Sequence, residues 1–176
     1  NALGTNCFIA TGGAGPHTMD IDAANLNISS FSDAPAFIRM DDGTLDCNIL
    51  GTCAFTGAAM MPAMGNNFVG INGASTAGFV ANLNVAAGNF VINGGSANSC
   101  YAGILLGDPM TGVGGGGGEI HVAASSGITL TGGTANDTPA IIEIIGAAAT
   151  NAITFDSTSG NVVLNGSSVG GLTNAG

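Results

Sequence analysis

The sequence predicts an all-β fold, wound as a parallel β-helix (a β-solenoid). Three observations predict it. Short apolar runs recur along the whole chain, separated by Gly, Asn, Asp, Ser and Thr. No segment sustains a capped apolar period of 3.6 residues, so helices are not expected. A pattern also repeats: VGINGAS at 69–75, FVINGGS at 90–96, ITLTGGT at 128–134 and VVLNGSS at 162–168. Weaker copies are LNISS at 26–30 and NILGT at 48–52.

The strands follow in order. The first half carries Cys7–Thr11, Met19–Asp22, Leu26–Ser29, Ala36–Met40, Leu45–Leu50, Asn67–Ile71 and Phe79–Val85. The second half carries Asn89–Asn93, Ala102–Leu106, Glu119–Ala123, Ile128–Thr131, Ala140–Ile145, Ala152–Phe155 and Asn161–Asn165. Each run is short and β-branched or otherwise apolar, which suits strands. The best helical candidate, Cys53–Met64, is interrupted by Gly57 and Pro62.

The repeat sets the architecture. The last apolar residues of the copies are Ile28, Leu50, Ile71, Ile92, Leu130 and Leu164, at intervals of 22, 21, 21, 38 and 34. The first three predict coils of about 21 residues; the last two fit one coil plus an insertion, or two short coils. At about 3.3 Å per residue, 21 residues make a loop of roughly 70 Å, enough for three short faces with turns. Gly and Asn then occupy corners needing φ > 0, notably the Asn-Gly pairs at 72–73, 93–94 and 165–166. The same pairs also suit type I′ hairpin turns, so an antiparallel sandwich or pilin-like fold is the competing architecture. One domain spans 1–176, with a Gly-rich loop at 107–118.

Composition removes several functions. The net charge is −10, with Arg39 the single Lys or Arg. Such a surface cannot neutralise phosphates, so no nucleic-acid partner is expected. A P-loop lacks its Lys. No apolar run reaches the roughly 18 residues of a membrane span. The start at Asn1, without a leader, fits a processed or excised chain.

The stretch GGEIHVAASSGITLTGG at 117–133, with GNVVLNG at 160–166, resembles the β-helical repeats of filamentous-haemagglutinin-like large exoproteins and adhesins. That resemblance implies a cell-surface or secreted β-solenoid. The secretion-domain motif NPNG of that family is missing from this chain.

Candidate sites are few. Asp41, Asp42 and Asp46 surround a Gly turn, and clustered carboxylates can hold Ca²⁺ through oxygen ligands. The bland reading is a solvated turn with Arg39 paired to a neighbouring Asp. Asp20 and Asp22, two apart, share one strand face. Cys7, Cys47, Cys53 and Cys100 are even in number and lack zinc spacing, so they read as disulfides of an oxidising compartment, or as buried thiols. The GxSxG at 166–170 lacks a helix and a downstream His, and Gly112–Gly117 meets GxGxxG only trivially. His121 alternates with Ile120 and Val122 and is expected to point outward. Asn27, Asn136 and Asn165 begin glycosylation sequons.

The expectation is therefore a secreted, non-enzymatic structural protein. It would be a filament subunit or surface adhesin whose partners are copies of itself, with a cell-surface glycan or protein receptor as a further partner. Assembly would proceed by pairing of strand edges. The alternative is a β-helical protein that binds or degrades carbohydrate.

Overall fold

The computed structural model describes residues 7–12, 15–30, 34–59, 67–74, 76–107, 116–146 and 151–166. It is all-β, with no helix among the described residues. The strands are β1 (Cys7–Thr11), β2 (His17–Ala23), β3 (Leu26–Ser29), β4 (Ala36–Met40), β5 (Gly43–Thr56), β6 (Asn67–Gly73), β7 (Val80–Asn93), β8 (Cys100–Leu106), β9 (Gly117–Thr131), β10 (Ala140–Ile144), β11 (Ala152–Ser157) and β12 (Val162–Asn165).

The chain alternates between two sheets. One has the order β1-β4-β6-β8-β10, the other β11-β9-β7-β5-β2, with β12 on β9 and β3 on β5. Every described pairing is parallel and runs between successive coils. This is the β-solenoid, and it excludes the antiparallel alternative.

The long strands of the second sheet bend midway, so one coil has three faces. The bend is marked by irregular pairing after Ile49 in β5 and after Ala87 in β7. At that corner Gly51 N–H donates to Ala24 O at 2.8 Å, and Thr52 N–H to Asn25 Oδ1 at 2.9 Å. The predicted strands at Phe79–Val85 and Asn89–Asn93 are the two arms of β7. Those at Glu119–Ala123 and Ile128–Thr131 are the two arms of β9. The first residues of the helical candidate, Cys53–Thr56, close β5.

The coil is longer than 21 residues. Stacked partners lie from 26 positions apart (His17 on Gly43) to 38 (Ile92 on Leu130). The interval of 21 measures passage from one sheet to the other. Ile71 lies in β6, Ile92 in β7, and both sheets carry the same apolar-x-apolar-Asn-Gly phrase. The intervals of 38 and 34 are whole coils, since Ile92 and Leu164 both pair with Leu130. Leu50 is no rung at all; it sits at the corner, 87% exposed.

Inward side chains form columns because strands alternate with period two and stack in register. Ile38, Ile71, Ile104 and Ile142 make one column. Leu45, Leu83 and Ile120 make a second. Phe55, Ile92 and Leu130 make a third. All of these are buried. Phe55 also meets Phe90 edge to face, centroids 5.6 Å apart, a favoured arrangement of aromatic rings.

The Asn-Gly pairs act differently from expectation. Neither Gly73 nor Gly94 has positive φ. Gly94 is needed for space, since a Cβ there would lie 2.1 Å from Thr138 O. Positive φ falls instead at strand positions such as Gly70 (143°), where a Cβ would lie 1.9 Å from Gly103 O in the next coil. Asn72 reaches along the axis: its Nδ2 donates to Leu105 O at 3.1 Å and Gly107 O at 2.7 Å.

Two leucines test this assignment by chemical denaturation. Leu83→Ala should cost about 2–5 kcal/mol, because it empties a fully buried rung. Leu50→Ala should change stability by less than about 0.5 kcal/mol.

Candidate functional site

The polar chemistry gathers on the outer face of the first arm of the second sheet. Parallel register builds it column by column. Asp20, Asp46, Asn84, His121 and Thr154 form one column. Asp22, Asn48, Ala86, Ala123 and Asp156 form the next. Asp20 and Asp22 do share the outward face, as expected.

Neighbouring rungs are tied by these side chains. Asn84 Nδ2 donates to Asp46 Oδ1 at 2.7 Å, and Asn48 Nδ2 to Asp22 Oδ1 at 3.0 Å. His121 Nε2 lies 2.8 Å from Asp156 Oδ2, joining β9 to β11. His121 therefore points outward as predicted, but it has a carboxylate partner that spacing alone cannot reveal, 35 residues away. Pairs this exposed contribute at most about 1 kcal/mol each. Between the two columns lies a shallow groove of about 60 Å³, floored by Ala86 and Ala123.

The acidic turn does not converge. Asp41 accepts from Arg39 Nε at 2.7 Å, the pairing anticipated for a solvated turn, although Asp41 itself is buried. Asp42 ties different coils together. Its Oδ2 accepts from Gly15 N–H at 3.1 Å and its Oδ1 from Val80 N–H at 3.2 Å. Asp46 is on the outer ladder with Asn84. The three carboxylates proposed as calcium ligands thus serve three separate tasks. Among the described residues no group of three His, Cys, Asp or Glu side chains could hold a metal ion.

The disulfide expectation is corrected. Cys47, Cys53 and Cys100 are buried thiols, with no disulfide among them. The side chain of Cys7 lies outside the described residues. The reason is the pleat. Cys47 and Cys53 occupy inward positions of β5, stacked on Val85 and Phe90, where a thiol packs as a small apolar group. Burial pushes the Cys47 thiol up from 9.0 to about 12, with Asp46 adding to the rise. Burial does the same to Cys53, also to about 12, with Cys47 adding. Burial raises Cys100 as well, and its Sγ donates to Asn98 O at 3.5 Å.

Of the remaining motifs, 167–170 of the GxSxG and 112–115 of the Gly run lie outside the described residues. Asn27, Asn136 and Asn165 are all exposed. Tyr101 Oη donates to Asp137 Oδ2 at 2.6 Å, and burial together with that bond raises its pKa above the ordinary phenol value. No helix among the described residues is long and apolar enough to cross a membrane.

The ends of the stack are where strand-edge pairing is expected, and the residues that stand open there are the part sequence reasoning did not name. β11 and β12 place Ile153, Phe155, Val162 and Leu164 in the columns of Ile120, Val122, Ile128 and Leu130. The inner four are fully buried, whereas Ile153 is 41% and Leu164 57% exposed. At the other end Ile9, stacked on Ile38, is 59% exposed. There an open apolar cleft of about 280 Å³ is lined by Ile9, Leu26, Ile28 and Ile38, among others. An apolar run looks the same whether another coil covers it or not. Comparison with protein families, curated proteins and solved structures finds no match for this chain.

The thiols give a direct test. The unfolded chain releases their protons from about pH 9 and the folded chain only near 12, so the unfolded state binds fewer protons in between. Stability should fall over that window, by up to about 1.4 kcal/mol per pH unit for each thiol. Cys47→Ala/Cys53→Ala should flatten the fall in urea titrations. In native protein at pH 7.5, Cys47 and Cys53 should resist a thiol reagent until denaturant is added.

Proposed function

We propose that this chain is a structural β-solenoid module of an extracellular filament or surface adhesin, extended by strand-edge pairing at its terminal coils. One observation carries the proposal. The same inward columns that are fully buried inside the stack stand open at β11 and β12. Each of these strands also has an edge whose backbone groups no other described strand pairs. A parallel coil laid on that edge meets both needs at once.

Other features suit the role. Amides and carboxylates of the outer ladder are used to fasten one coil to the next, which fits a scaffold better than a catalyst. The one site for a trypsin-like protease, Arg39, is held by Asp41 and its side chain is 35% exposed. A chain so guarded suits a durable extracellular material. The likeness of 117–133 and 160–166 to exoprotein repeats agrees with a surface setting.

Electron microscopy and sedimentation velocity test the proposal. The wild-type chain should form unbranched threads or concentration-dependent oligomers. Phe155→Asp with Leu164→Asp should weaken association at least about tenfold, since covering either side chain is worth about 1–2 kcal/mol. A wild-type chain that stays monomeric at every concentration and pH would refute it.

A further inference from the structure

Continuing the internal register beyond the last coil specifies what meets what. Sheet by sheet, β10 would be followed by β1 of a second copy, and β11 with β12 by its β2 and β3. The columns then align without a slip. Ile153 falls on Met19, Phe155 on Ile21, Val162 on Leu26, Leu164 on Ile28, and Ile142 on Ile9. All five contacts join apolar to apolar, as in every coil interface inside the chain. The corner residues 158–161 exceed the two at Ala24–Asn25 by two, where neighbouring corners inside the stack differ by one, so the strands keep register and the corner takes up the extra length. The opposite end of the same solenoid is thus the occupant whose pattern fits.

The outer face adds a constraint. In this register Thr154 falls on Asp20, and Asp156 falls directly on Asp22. We infer that copies join head to tail, and that the junction is gated by the facing carboxylates of Asp156 in one copy and Asp22 in the next. The inference rests on the strand-edge assembly proposed above and names its partner and its regulation.

The groups around the pair are few. Asp156 faces His121 of β9 across 2.8 Å. Asp22 accepts from Asn48 of β5 at 3.0 Å. Asp20 lies in the adjacent column of β2, one rung from Asp46, and Glu119 lies on β9 opposite Ala152. Adjacent strands lie about 4.8 Å apart, so both carboxylates cannot stay ionised without cost. The assembled state takes up a proton that separated copies release. Association therefore strengthens as pH falls and weakens as it rises.

Sedimentation velocity between pH 8 and pH 4.5, at low salt, tests this. Wild-type association should rise with falling pH, by up to about tenfold per pH unit for each proton taken up. Asp22→Asn and Asp156→Asn should each strengthen association at pH 7.5 by at least about fourfold, the Coulomb repulsion of two unit charges 5 Å apart in water. Asp137→Asn removes one charge from the turn before β10 and should leave the pH dependence intact. Asp20→Cys combined with Thr154→Cys should cross-link copies on oxidation, because the two positions face each other across the junction.

The outcomes separate the two claims. Assembly that is independent of pH and unchanged by Asp22→Asn overturns the gate and leaves strand-edge assembly standing. Assembly without the cross-link overturns the head-to-tail register. No association of wild type, Asp22→Asn or Asp156→Asn at any pH overturns both.

Discussion

Parallel pairing in register is the constraint on which the rest of this molecule depends. Each residue stacks on its counterpart in the next coil, about 4.8 Å away, and the pleat sends neighbours alternately in and out. Inside, the result is continuous columns of Ile, Leu, Val and Phe with a few thiols among them. Outside, it is ladders of Asp, Asn, Thr and Ser. A one-residue slip would exchange the two sets. The side-chain ties of Asn72, Asn84 and Asp42 across coils all oppose that slip.

How far this can be read from sequence depends on the length scale. Strands such as Leu26–Ser29 and Ala36–Met40 are legible to the residue, because period-two patterning and Gly or Asp boundaries act locally. Which strand stacks on which is less legible. Ile71 and Ile92 carry near-identical phrases yet lie in different sheets, so a half-coil passes for a coil. Leu50 reads as a rung because it is apolar, but it turns a corner.

The sites divide in the same way. Asp20, Asp22 and His121 are placed correctly on the outer face by alternation alone. The partners of His121 and Asp46 are beyond reach, because they lie 35 and 38 residues away and depend on coil length. Asp41, Asp42 and Asp46 are close in sequence, yet a turn and a strand send them toward different neighbours. An even count of cysteines suggests pairing. Inward positions on β5 make Cys47 and Cys53 part of the apolar filling instead.

The uneven coil has a further consequence. Successive coils differ by as much as a dozen residues, yet the columns stay aligned through β5, β7 and β9. The surplus is absorbed outside the strands, between Thr56 and Asn67 and between Leu106 and Gly117. The first of these connections runs from the second sheet to the first and the other runs back, so the extra length enters at two different corners of the coil. The register of the strands is thus kept whatever number of residues separates them. The molecule is in that sense a ruler whose marks stay aligned while the path between them varies in length.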